Sequence, residues 1–172
     1  MIHNGVDYMD LKRFQMDELL LTAIKSEAEA KDLYTLLSEK VRGAYLKDKL
    51  LFIASEEVKH REFLEKVYSV SFPGREIVLP SESIVPLPEI EIPEGEVAAS
   101  MVMGKAMRAE KAASDFYLAL SEMFEGDEDT MNSLVYLSSM EMGHYRLLEI
   151  EKDRLEAEED YNFEWEMMHV GP

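Results

Sequence analysis

Two tetrads constrain this chain more than any other feature: Glu57-Val58-Lys59-His60 and Glu141-Met142-Gly143-His144. Each reads Glu-x-x-His. On a helix, positions i and i+3 lie about 60° apart, so each tetrad turns one carboxylate and one imidazole to the same side. Each also falls inside an apolar stripe of helical period. Leu46, Leu50, Ile53, Leu64 and Val67 surround the first, and Leu134, Leu137, Leu148 and Leu155 surround the second. A charged residue on the core side of a helix needs a partner or a metal. Whatever fold the chain adopts must bring these polar groups to something that compensates them.

The stripes define four helices. The first runs from about Met16 to Gly43, with Leu20, Ala23, Ile24, Glu27, Ala30, Tyr34, Leu37 and Val41 on one face. Glu27 is again a carboxylate in an apolar row. The second runs from about Ala44 to Tyr68, and the short connection at Gly43 makes the two antiparallel neighbours. The third covers about Glu96 to Phe124, with Met103, Met107, Glu110, Ala113, Tyr117 and Leu120 in its stripe. The fourth covers about Asp129 to Asp160, with Asp129 or Thr130 as its cap. Residues 1–15 form a lead-in with one helical turn near Asp10–Phe14, and residues 161–172 a tail.

Between the two hairpins, residues 16–68 and 96–160, lies a stretch of different character. Residues 69–95 hold five of the six prolines, which excludes helix through most of it. An extended segment advances about 3.1 Å per residue against about 1.5 Å for a helix. Residues 69–95 are therefore long enough to run back along the bundle and join parallel helices two and three. The expected architecture is all-α: one domain, residues 1–172, built as a four-helix bundle with a long crossover.

The halves repeat each other. Ala23-Ile24-Lys25-Ser26-Glu27 lies over Ala106-Met107-Arg108-Ala109-Glu110, Asp32-Leu33-Tyr34 over Asp115-Phe116-Tyr117, and Gly43 over Gly126. Glu57 and His60 lie over Glu141 and His144. A duplicated hairpin packed about a pseudo-two-fold axis brings together Glu27, Glu57, His60, Glu110, Glu141 and His144. One Glu from each of two helices and Glu-x-x-His from each of the other two can build a two-metal site in a bundle core. Four carboxylates offset the charge of two divalent ions, and oxygen and nitrogen donors without thiolate suit iron or manganese, with zinc possible. Glu57 and Glu141 are expected to bridge, and Glu27 and Glu110 to be terminal ligands. Tyr34 and Tyr117 follow the terminal glutamates by two turns on the same face. They either hydrogen-bond a ligand carboxylate and orient it, or are ordinary core tyrosines.

Charge and composition exclude several classes. With 36 acidic against 18 basic residues the net charge is −18, unsuited to nucleic acid or an anionic membrane. The absence of cysteine rules out disulfides, thiol catalysis and thiolate metal sites. No apolar run is long enough to span a membrane and no signal peptide is evident, so a cytoplasmic location is expected. The apolar segments Ile77–Leu79, Ile84–Leu87, Ile90–Ile92 and Trp165–Met168 point to a homodimer.

Over residues 16–155 the chain resembles the ferritin-like superfamily and, more narrowly, rubrerythrin-type diiron proteins. The resemblance rests on both Glu-x-x-His tetrads and both upstream glutamates. It implies a ferritin-like bundle holding two iron ions that reacts with hydrogen peroxide or dioxygen, using electrons from an external donor such as a rubredoxin-like protein. Two departures qualify it. The four cysteines of a rubredoxin-like iron site are missing, so electrons are expected from a separate protein. The extra glutamate that rubrerythrins carry three residues after the helix-three ligand is Ala113 here, with Ala30 as its repeat counterpart, which puts efficient peroxidase turnover in doubt. The same ligands serve ferritin-like iron oxidation and handling, and a non-enzymatic metal-binding bundle is a third reading.

Overall fold

The computed structural model describes residues 11–41, 43–82 and 99–169, with side chains to residue 161. A 3₁₀ turn at Leu11–Arg13 precedes helix α1, Met16–Lys40. Helix α2 is Ala44–Ser71, α3 is Ala99–Ser121, and a 3₁₀ turn at Glu122–Phe124 leads to α4, Glu128–His169. No strand occurs among the described residues. None of the described helices is long and apolar enough to cross a membrane.

Cross-helix contacts give the directions. Tyr34 of α1 meets Glu110 of α3 while Tyr117 of α3 meets Glu27 of α1, so these helices run antiparallel. Lys49 of α2 pairs with Glu151 of α4, and the His60 and His144 rings stack, so α2 and α4 are antiparallel too. Helices α1 and α2 form one hairpin, α3 and α4 the other. It follows that α2 and α3 are parallel, which only a connection as long as the bundle can achieve. The expected crossover is therefore required by the packing. Most of its path, including Ile84–Leu87 and Ile90–Ile92, lies outside the described residues, as do the side chains of Trp165–Met168. At its start Ile77 packs against the core, while Val78 and Leu79 are exposed.

The apolar side chains form two clusters. One gathers Leu19, Leu20, Leu64, Tyr68, Phe116 and Leu134, and the other Leu37, Leu50, Ile53, Met103, Ala106 and Leu148. The buried polar residues of the stripes sit in the layer between them.

Both ends of α4 differ from the sequence expectation. The cap of α4 is Asp127, not Asp129 or Thr130. Its Oδ1 accepts the Thr130 backbone N–H at 3.2 Å, and its carbonyl accepts that of Met131. The helix then continues through His169 instead of ending near Asp160, because residues 161–169 contain no proline or glycine to stop it. The repeat glycines do match: Gly43 has φ 103° and Gly126 φ 100°, conformations that side chains strongly disfavour. No neighbour would touch an added Cβ at either position, so Gly43→Ala should report backbone strain alone. The expected loss is about 1–3 kcal/mol, read as a thermal midpoint lower by about 2–4 °C per kcal/mol.

Candidate metal centre

Glu27, Glu57, His60, Glu110, Glu141 and His144 are all buried, none more than 4% exposed, and the structure gathers them into one layer. Each helix supplies what its stripe places there: α1 gives Glu27, α2 Glu57 and His60, α3 Glu110, and α4 Glu141 and His144.

The two halves have nearly the same geometry. His60 Nδ1 lies 3.1 Å from Glu57 Oε2, 3.0 Å from Glu141 Oε1 and 3.8 Å from Glu27 Oε2. His144 Nδ1 lies 3.2 Å from Glu141 Oε2, 3.2 Å from Glu57 Oε1 and 3.7 Å from Glu110 Oε2. Glu57 and Glu141 thus each turn one oxygen to either histidine, while Glu27 and Glu110 reach only one. The rings stack at 5.6 Å between centroids and 23° between planes.

Among the described residues, two sets of four donors lie close enough to share a cation: Glu27, Glu57, His60 and Glu141, and Glu57, Glu110, Glu141 and His144. Glu57 and Glu141 belong to both. Their Oε1 atoms are buried and, although near the opposite imidazole, make no well-directed hydrogen bond; His144 Nε2 is likewise unpartnered. Buried carboxylate oxygens without donors are costly in a protein interior. A pair of divalent cations between the halves would satisfy both, so the donor set fits a two-metal group.

The tyrosines complete the layer. Tyr34 donates its hydroxyl to Glu110 Oε1 and Tyr117 donates to Glu27 Oε1. Each tyrosine thus holds the terminal carboxylate of the other half, not the one two turns away on its own helix. Burial, followed by the charge of that glutamate, pushes both phenols up, so they remain protonated donors.

Charge within the cluster is balanced by protons. Burial alone would push the imidazoles down, but the surrounding carboxylates outweigh it and push His60 and His144 up to about 12. Burial opposes ionisation of Glu141 and Glu57 as well, yet the two histidines hold Glu141 down at about 2 and keep Glu57 below its usual range. Glu27 and Glu110 go the other way. Burial first, then the charges of Glu57 and Glu141, push both well above the usual carboxylate range. The cluster without metal therefore approaches neutrality: two imidazolium ions against two carboxylates, with Glu27 and Glu110 held toward the neutral acid.

A further pair, with only its carboxylate buried, has no counterpart in the sequence reading. Glu151, seven residues after His144 and on the same stripe, is 3% exposed and bonds Lys49. Its position on the stripe was the available signal. Ala113 and Ala30 are half-buried against the two apolar clusters, so neither half has a further carboxylate at that turn.

Comparison with known proteins agrees with this geometry. No match is found among curated proteins. Among solved structures, a hypothetical protein from Pyrococcus furiosus is 38% identical and superposes with a TM-score of 0.78, over 88% of this chain and 96% of its own. The model of the rubrerythrin family matches residues 18–152, which include both tetrads, both upstream glutamates and both tyrosines. The chain belongs to the rubrerythrin family, with an all-α ferritin-like bundle.

Proposed function

We propose that this protein is a non-haem diiron oxidoreductase that reduces hydrogen peroxide or dioxygen with electrons from an external donor. The observation that carries the reading is the sharing of Glu57 and Glu141 by two otherwise separate donor sets. One iron would be held by Glu27 and His60, the other by Glu110 and His144, with Glu57 and Glu141 bridging. Carboxylate and imidazole donors favour iron, and also admit manganese or zinc. When bound, two adjacent ferrous ions supply the two electrons that reduce one peroxide, with two protons, to two waters.

The chain's own residues position, shield and balance. Tyr34 and Tyr117 fix the rotamers of Glu110 and Glu27, which keeps each terminal carboxylate turned toward its own histidine. The apolar clusters above and below exclude water and lower the local dielectric. The chain holds no cysteine and hence no cysteine-ligated redox centre, so reducing equivalents come from a partner such as a rubredoxin-like protein. With alanine at 113, turnover is expected to be slower than in a relative with a carboxylate there.

The test is stopped-flow mixing of anaerobic, reduced, iron-loaded protein with peroxide and, separately, with dioxygen. Rapid oxidation by peroxide, and steady turnover only with added donor, is the expected result. Faster oxidation by dioxygen with growth of a mineral core would favour iron handling as in ferritin. Inertness toward both would leave a metal-binding bundle.

Proton balance gives a second expectation. Metal must displace the protons that the surrounding carboxylates favour on His60 and His144, and those that Glu27 and Glu110 retain. Loading at pH 7 should therefore release at least the two imidazolium protons per pair of ions, and affinity should fall as pH falls. A pH indicator in weakly buffered solution reads the release. Fewer than two protons would contradict the charged imidazole pair.

A further inference from the structure

The buried polar layer is closed on five sides, and each closure has named residues. The two apolar clusters cap it above and below. On the α2–α4 side the His60 and His144 rings stack across it, and His144 Nε2 is itself buried. The α3–α4 seam is closed by Ser114, whose hydroxyl donates to the Ser138 carbonyl at 2.9 Å and pairs with the Ser138 hydroxyl at 2.9 Å. Ser114 follows Glu110 by four residues and Ser138 precedes Glu141 by three, so this bond lies about one turn from both glutamates. In the α1–α2 seam Ile24, Ile53 and Ala54 are buried.

The α1–α3 seam is built differently. At each end a tyrosine and a glutamate, tip to tip, span the distance between the helices: Tyr34 with Glu110, and Tyr117 with Glu27. At a rise of about 1.5 Å per residue, these pairs set Ala30 and Ala113 level with each other, midway between the two glutamates. Ser114 and Ala113 flank the inward direction of Glu110 on opposite sides. Ser114 is turned to α4, so Ala113 is turned to α1. Ala30 holds the same place in the repeat. Both alanines are half-buried, although Glu27 and Glu110 beside them are buried. Two methyl groups cannot fill a space that at either end takes a tyrosine and a glutamate.

We propose that the gap between Ala30 and Ala113 is the entrance to the buried polar layer, used by metal ions and by an oxidant the size of hydrogen peroxide. The oxidant's use of it rests on the function proposed above; the metal's rests on the donor set alone. An ion entering here meets Glu27 on one hand and Glu110 on the other, in a chain whose net charge of −18 draws cations. A longer side chain at either alanine would obstruct the passage without touching a donor atom.

The absence of cysteine allows a reversible plug. Folded, metal-free Ala113→Cys is treated with benzyl methanethiosulfonate, which adds a benzylthio group that a thiol later removes. Ala28→Cys, half-buried on the other flank of Glu27, is the control. Stopped-flow mixing with cobalt(II), followed by its visible absorption, reads entry without turnover. The plug at 113 should slow cobalt binding at least tenfold and leave the final stoichiometry unchanged. Removing the plug, and then the thiol, should restore the rate. Ala30→Leu with Ala113→Leu should slow entry in the same way, with unchanged helicity by far-ultraviolet circular dichroism. Peroxide oxidation of the reduced, iron-loaded double variant should slow by a similar factor. Cobalt entry indifferent to the plug, equal slowing by a plug at 28, or failure of the cysteine at 113 to react in the folded chain would overturn the proposal. Slowed cobalt entry in a chain inert to peroxide would uphold the entrance and sink the oxidoreductase reading alone.

Discussion

Glu57→Ala or Glu141→Ala is expected to abolish binding at both metal positions, while Glu27→Ala or Glu110→Ala weakens chiefly one. The asymmetry follows from reach. Each tetrad glutamate places one oxygen near His60 and the other near His144, at 3.0–3.2 Å, whereas Glu27 and Glu110 each approach a single ring. Removing a shared carboxylate deprives both sets of a donor and leaves one fewer anion between two divalent charges. Removing a terminal one leaves the other set intact. The tyrosine pairing adds a crossed signature. Tyr34→Phe should loosen the ion held by Glu110 and His144, though Tyr34 stands on the helix of Glu27. An affinity loss of about 10–100-fold is the ordinary scale for such an outer hydrogen bond. Elemental analysis of reconstituted protein decides it. Retention of one full equivalent by Glu57→Ala would refute the bridging assignment.

Stripping the metal should lower the thermal midpoint by on the order of 15 °C. Ligands that bind only the folded state stabilise it by about 4 kcal/mol at a thousandfold excess over Kd, and the midpoint moves about 2–4 °C per kcal/mol in chains of this size. Two ions therefore reach that range. Partial compensation comes from protons, since the imidazolium and carboxyl groups approach neutrality without metal, so the stripped chain should soften and still fold. Calorimetry before and after chelation, with metal loss verified, measures the difference. An unchanged midpoint would mean that the cations contribute nothing to the fold.

The buried polar layer was legible in the sequence for a particular reason. Glu27, Glu57, Glu110 and Glu141 sit at apolar positions, and a period of 3.6 exposes such misfits without knowledge of the tertiary structure. The repeat then placed the misfits opposite one another. The parallel relation of α2 and α3 was readable for a similar reason, since a proline-rich stretch of that length is redundant unless it spans the bundle. What escaped was set by contacts between distant segments or by local competition. The pairing of Tyr34 with Glu110 depends on which helices adjoin, and spacing along one helix cannot reveal that. The Lys49–Glu151 pair joins α2 to α4 in the same way. At the start of α4, Asp127, Asp129 and Thr130 all suit a cap, and only backbone geometry selects Asp127. The end of α4 lies at His169, beyond the expected Asp160, because nothing between them breaks a helix.

The crossed tyrosine–glutamate pairs restrict how the two halves can change over evolutionary time. A duplicated hairpin is free to diverge wherever each copy satisfies its own needs. Here Tyr34 serves Glu110 and Tyr117 serves Glu27, so a loss in either copy is felt in the other. The chain already shows the contrast. Tyrosine, glutamate and histidine are identical between halves at every position that reaches across, while Lys59 faces the equivalent Gly143 and Val67 the equivalent Glu151. A substitution at either tyrosine is therefore expected to show in the other hairpin, since each holds in place a carboxylate that the other presents.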